Sequence, residues 1–401
     1  MNPFPFVYAL IARDWWATLG FAALIALATA LGVAITSQEK ALRTGSAKAA
    51  DRFDMIVAAP GSQTDALLKT IFLRPGVVEL LAPEVIATLL DDNRAAFAAP
   101  LGFGDNHNGN PLAGTTADLV LALSNGSLAE GRMFATADEA VVGAASPLMV
   151  GAELHAEHGH GEDEQNSGEH GTALKVTGRM QPTGSPWDRA IIVPIEQMWL
   201  VHNLPIGHSP LNRQHIGSPF DAGFLSGVPA VIVKPLTLSD AYRLRGAYRS
   251  EKSTAFFPAE VLLELYDVMG DVRRLMSVMA IGTQALVVAA IVAGVIALLR
   301  VHRRQFAMLR ALGAPRRFIL ASIWLYVAAM VGTGALVGLA LGFAAAKAAS
   351  HFLSQSTGIE LLPGIGGNEL ALVAGLLIAG CVFALIPALR FCREPVIDAL
   401  R

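Results

Sequence analysis

Charge-free apolar runs at the two ends of the chain enclose a middle in which short apolar runs alternate with turn residues. Residues 17–36 (ATLGFAALIALATALGVAIT) carry no charged side chain, over the roughly 20 positions a helix needs to cross about 30 Å of hydrocarbon. The pattern predicts a first transmembrane helix there. A cleaved signal peptide is the alternative, but its apolar core is shorter, about 7–15 residues. Three further runs, 276–299, 318–347 and 369–390, are built mainly of Ala, Val, Leu, Ile and Gly and predict transmembrane helices two, three and four. Within the third, Gly334, Gly338 and Gly342 recur every four residues. They put three bare backbone positions on one stripe, a face on which another helix can pack closely. Ahead of the first run, Phe4, Tyr8, Trp15 and Trp16 fall on or near one helical face beside Arg13, so residues 1–16 read as an interfacial helix.

The middle, 37–275, has a different rhythm. Runs at 54–60, 95–103, 118–123, 140–144, 189–194 and 229–235 read as short strands broken by Gly, Pro and Asn, with helices expected over 62–73, 194–202, 237–249 and 258–275. The predicted fold class is a membrane protein with four transmembrane α-helices and one large α+β extracytoplasmic domain between the first and second. Composition agrees: 53% of residues are hydrophobic and 16% charged, a balance shifted away from soluble globular chains.

Sidedness follows from the arginines. The loop 300–317 (RVHRRQFAMLRALGAPRR) holds Arg300, Arg303, Arg304, Arg310, Arg316 and Arg317 with no acid, whereas 348–368 holds Glu360 and no Lys or Arg. The positive-inside rule puts the arginine loop and both termini, including the tail 391–401, in the cytoplasm, and puts 37–275 and 348–368 on the outer side. A net charge of −3 supplies no global basic field, so nucleic acid is not an implied partner; the lipid bilayer is. The two cysteines, Cys381 and Cys392, both fall on the last helical segment. They are too far apart along a helix for a disulfide.

Within the arginine loop, Phe306, Leu309, Arg310 and Gly313 have helical spacing, and Gly313 and Pro315 stop the helix. One reading is a basic helix lying on anionic lipid. The stretch RRQFAMLRALGAPRRFIL, however, resembles the cytoplasmic loop of the FtsX/MacB-like ABC transporter permease family, which carries an L-R-A-L-G-A pattern before its penultimate helix. The ending PALRFCREPVIDALR resembles that family's P-x-x-A-L-R terminus. The segments 139–154 and 172–199 resemble its β-rich outer lobe. One departure is visible, because the acid usual in the loop is replaced by Gln305 or Phe306.

The resemblance implies a bacterial inner-membrane permease of the mechanotransmission type, itself no enzyme. A separate ABC ATPase dimer holds the ATP and magnesium, and a second permease copy completes the assembly. The helix formed by Arg303, Arg304, Phe306, Leu309, Arg310, Leu312 and Gly313 would be the coupling element, with Phe306, Leu309, Leu312 and Gly313 as its contact surface. The cargo could be a lipoprotein, peptide or small molecule; the alternative is a signalling protein that moves no substrate and controls a periplasmic partner such as a cell-wall enzyme. The chain has no G-x-x-x-x-G-K-[ST] phosphate loop.

Residues 155–171 (HAEHGHGEDEQNSGEHG) have no counterpart in the resemblance. His155, His158, His160 and His170 stand among carboxylates and offer ligands of the type zinc takes. A solvated acidic insert is the competing reading. His202, His208 and His215 read as ordinary surface or core histidines.

Overall fold

The computed structural model describes residues 2–77, 79–158, 169–268 and 270–393. The first half runs α1 (Phe4–Arg13), α2 (Trp15–Ala50), β1 (Met55–Ala58), α3 (Gln63–Thr70), α4 (Pro83–Leu90), β2 (Ala95–His107), β3 (Asn110–Thr115), α5 (Ala117–Leu123), β4 (Leu128–Gly131) and β5 (Glu139–Val142). It continues with β6 (Glu153–His158), β7 (Glu169–Met180), β8 (Ile191–Pro194), α6 (Ile195–Val201), β9 (Ala230–Pro235), α7 (Leu238–Ala247), β10 (Thr254–Phe256), α8 (Pro258–Val268), α9 (Gly270–Val301), α10 (Arg303–Ala311), α11 (Arg316–Thr357) and α12 (Gly367–Arg393). Two compact units result, one of residues 1–43, 270–352 and 361–401, the other of 44–269 with 353–360.

In the first unit, α2, α9, α11 and α12 each contain a stretch long and apolar enough to cross a membrane. Ile25, Ile291, Val295, Ile323, Val327, Val331 and Leu376 form its core. Leu24, Leu27 and Leu31 of α2, Leu336 and Leu341 of α11, and Ile378 and Val382 of α12 face outward, as lipid-facing side chains do. The helices overrun the expected spans: α2 continues to Ala50 and α11 to Thr357, so the segment between α11 and α12 is shorter than 348–368. Hydropathy reads where hydrocarbon begins and ends. Helix propensity continues past that point through Gln38, Glu39, Lys40 and Ala41, where neither Gly nor Pro intervenes.

The second unit is a mixed sheet between two helical layers. Strand order is β10-β1-β9-β2-β3-β8-β5-β7-β4, with β6 pairing both β2 and β7. Most pairs are antiparallel; β3–β8 and β5–β7 are parallel. The central strands are buried on both faces, which is why they read as unbroken apolar runs. Their alternation divides them between two cores. Ile56, Val141, Ile192 and Ile232 join Leu67 of α3, Leu119 and Leu123 of α5, Leu262 of α8 and the fully buried Trp187. Val57, Val142, Val193 and Val231 join Leu89 of α4, Trp199 of α6 and Leu244 of α7.

One local expectation is corrected. Residues 118–123 form a helix and not a strand, since Leu119, Val120 and Leu123 are buried at helical spacing and Asn125 and Gly126 take positive φ to stop it. The unbroken apolar run 119–123, of five residues, fits either period. Helix α4 was not foreseen; Pro83 opens it at a position where the missing N–H costs nothing, and Ile86 and Leu89 bury it.

One largely buried network makes this unit sensitive to pH. Asp92 accepts from Arg94 Nε at 2.8 Å, Arg94 Nη2 at 2.5 Å and Tyr248 Oη at 3.1 Å. The Arg94 guanidinium holds the Asp92 carboxyl down at about 2, and burial, with the Asp92 charge beside it, pushes the Tyr248 phenol up to about 12. A depressed carboxyl contributes stability that is present above its unfolded value near 3.9 and lost as pH falls toward 2. The raised phenol contributes stability present below about 10 and lost as pH rises through about 12. Asp92→Asn is expected to cost about 1–2 kcal/mol at pH 7 and to flatten the decline between about pH 4 and pH 2, read by urea unfolding followed through Trp fluorescence. An unchanged acid limb would contradict the assignment.

Candidate coupling site and outer-domain clusters

Helix α10 is a nine-residue segment between two membrane-length helices. It ends because Gly313 adopts φ +95°, where L side chains are strained. The Gly313 N–H donates to Arg310 O at 3.0 Å and the Ala314 N–H to Leu309 O at 2.9 Å, closing the last turn; Pro315 then prevents its continuation.

Phe306 is 1% exposed. Its ring meets Phe6 of α1 edge-on at 5.8 Å, and Phe6 lies 6.0 Å from Phe318 of α11. The expected docking surface is therefore corrected at this residue: Phe306 fastens α10 to the unit's own core and is not presented outward. Leu309 is half-buried against the same core, as are Arg303 and Arg310 in their settings. The outward stripe is Arg304, Met308 and Leu312, spaced by four, with Met308 50% and Leu312 85% exposed and Gly313 beside them.

A polar pair supports this arrangement from behind. His302, immediately before α10, is buried, with Nε2 2.6 Å from Asp14 Oδ2 and Nδ1 2.9 Å from Gln305 Oε1. Asp14 separates α1 from α2, so the start of α10 is tied to the start of the first long helix. Thr18 Oγ1 and Tyr326 Oη, 2.7 Å apart, join α2 to α11 one turn further in. Sequence reasoning missed Asp14, His302 and Tyr326. None stood out, since Asp14 follows Arg13, His302 lies among arginines and Tyr326 falls inside the third apolar run.

The glycine stripe faces α2. A Cβ on Gly334, Gly338 or Gly342 would lie 2.8, 2.5 or 2.6 Å from the carbonyl oxygens of Ala22, Ala26 and Ala30. Small residues on both helices, four apart, let the backbones touch.

In the α+β unit, the insert 155–171 turns out to be built into strands at both ends. β6 and β7 form an antiparallel arm with His155 opposite Ala173 and Glu157 opposite Glu169, and β6 also pairs Asp105 and Asn106 of β2. His155, His158 and His170 lie on this arm; His160 lies outside the described residues. Among the described residues no three His, Cys, Asp or Glu side chains are grouped to hold a metal ion.

A second cluster was not legible. His208 is buried with Nε2 3.2 Å from Glu196 Oε1, which also accepts from the Gly217 N–H at 2.7 Å. The His208 ring stacks on Phe220 at 5.2 Å and meets the His215 edge at 5.0 Å. Burial raises the Glu196 carboxyl above its usual range. These contacts pin the 203–224 segment onto α6, a structural role. His202 Nδ1 lies 2.7 Å from Met198 O, closing the end of the same helix.

Residues 277–396 match the family model described as the FtsX-like permease C-terminal. No curated protein matches the chain. Among solved structures, the crystal structure of the periplasmic region of MacB from Actinobacillus actinomycetemcomitans is similar at 10% identity, covering 53% of this chain and 92% of that one with a TM-score of 0.32.

Proposed function

We propose that this chain is the membrane-embedded permease subunit of an ABC system, driven by a separate ATPase dimer that docks on α10. The observation that carries the reading is the outward stripe Arg304, Met308 and Leu312 on a short helix whose other face is fixed by Phe306 and by the His302–Asp14 pair. An exposed apolar ridge flanked by arginines at the end of the membrane spans suits a protein partner that is itself partly acidic. The FtsX-like match over 277–396 supports the same reading. With the arginine end inside, the α+β domain stands on the outer face of a bacterial inner membrane and two permease copies act together. Movement of the helices then reaches a lipoprotein, peptide, small molecule or periplasmic enzyme there.

The purified full chain is expected to hydrolyse no ATP above background, with hydrolysis appearing only when its ATPase is added. Hydrolysis by the chain alone would sink the proposal.

A metal-linked version is favoured by one observation: the β6–β7 arm puts His155 and His158 on one strand and His170 on its neighbour. Zinc titrated into the full chain by calorimetry is expected to bind with a Kd below about 1 mM, and replacement of all four histidines His155, His158, His160 and His170 by Ala is expected to remove it. Zinc heat that survives in that variant counts against the arm.

A further inference from the structure

Three arginines are among the residues that line a cavity of about 410 Å³ formed by α9, α10 and α12. Arg300 lies in the last turn of α9, Arg303 begins α10 and Arg390 lies in the last turns of α12, so arginines near three helix termini line the same cavity. No acidic residue is among the described residues that line it. The other half of the wall is apolar: Ile296 and Ile386 sit one helical turn inward from Arg300 and Arg390, and Val292 lies a further turn along α9. Ile296 and Ile386 are 39% and 49% exposed.

Two chemistries are thus required of one occupant. It must carry concentrated negative charge, because guanidinium groups match phosphate oxygens in pairs. It must also carry hydrocarbon, because the wall below the arginines belongs to the membrane spans. A soluble phosphate satisfies only the first and a neutral lipid only the second. We propose that this cavity binds an anionic phospholipid. Arg300 and Arg390 hold its phosphate, and the upper acyl carbons lie against Ile296 and Ile386. A basic pocket between membrane helices at their arginine-bearing end is the physical setting in which acidic headgroups are retained. This reading is independent of whether an ATPase docks on α10.

Native mass spectrometry of the full chain in detergent tests it, with phosphatidylglycerol as probe and phosphatidylcholine as the zwitterionic control. Phosphatidylglycerol is expected to remain bound about tenfold or more in preference, and Arg300→Gln with Arg390→Gln to erase that preference. Arg316→Gln with Arg317→Gln, both exposed and outside the cavity, is expected to leave it intact. Equal retention of the two lipids by the unaltered chain overturns the proposal without reference to any variant. So does an equal loss in the Arg316 and Arg317 pair, which would mark a diffuse surface effect. Glycerol 3-phosphate should fail to displace the lipid at millimolar concentration; full displacement would make this a free-phosphate site and overturn the lipid assignment.

Discussion

Gly338→Leu is expected to prevent α11 from seating on α2 and to abolish recovery of a monodisperse chain in detergent. A Cβ at this position would stand 2.5 Å from Ala26 O, 2.6 Å from Thr29 Cβ and 3.0 Å from Ala26 Cα. Two of these three atoms are helix backbone and have no rotamer to change, so the helices themselves must separate. Separation also opens the contacts at Gly334 and Gly342, and Ile25 and Val33 lose packing with them. The cost is therefore above the usual overpacking range of about 1–3 kcal/mol. Gly332, on the same helix, has nothing within 4 Å of its built Cβ, and Gly332→Leu should elute and melt as the unaltered chain does. If both leucine variants behave alike in size-exclusion chromatography, the stripe does not hold the helices together.

The second large effect separates docking from folding. Met308→Asp with Leu312→Asp places two carboxylates on the exposed ridge of α10 and should leave the membrane unit folded, since neither side chain enters the core. ATP hydrolysis stimulated by the assembled complex is expected to fall by more than about tenfold, which corresponds to roughly 1.4 kcal/mol of lost contact. Phe306→Asp should behave differently, because it buries a charge against Phe6 in the core of the unit and destroys the chain before docking can be asked about. Full stimulated activity in the Met308 and Leu312 variant, with the chain intact, would remove α10 from the coupling role.

The four spans could be read in the sequence because hydrocarbon tolerates no charge over about 20 residues, and that constraint is local. Helix ends could not, because α2 and α11 run on in polar sequence that still favours helix. For α10 the spacing of Phe306, Leu309 and Gly313 revealed a helix and a face, but not which way the face turned. That was decided by Phe6 and Phe318, and no local pattern announces a partner 300 residues away. The Glu196–His208 pair is illegible for a related reason: its members are joined by an irregular loop, and only the fold brings the carboxylate under the imidazole. In the domain, doubly buried strands such as β1 and β9 stood out as apolar runs, whereas β3, containing Asn110, Pro111 and Gly114, did not.

Strand β2 gives the α+β domain a single point of summation. Its first half pairs β9, its second half pairs β3, and near its end it receives β6 from the histidine-bearing arm. The sheet cannot come apart on one side of β2 without unpairing a strand the other side also needs. A ligand captured on the arm would therefore be felt as a rise in the melting temperature of the whole domain, by simple mass action on a cooperative unit. The thermal transition itself becomes a reporter with which unknown occupants of the outer face can be screened before any of them is named.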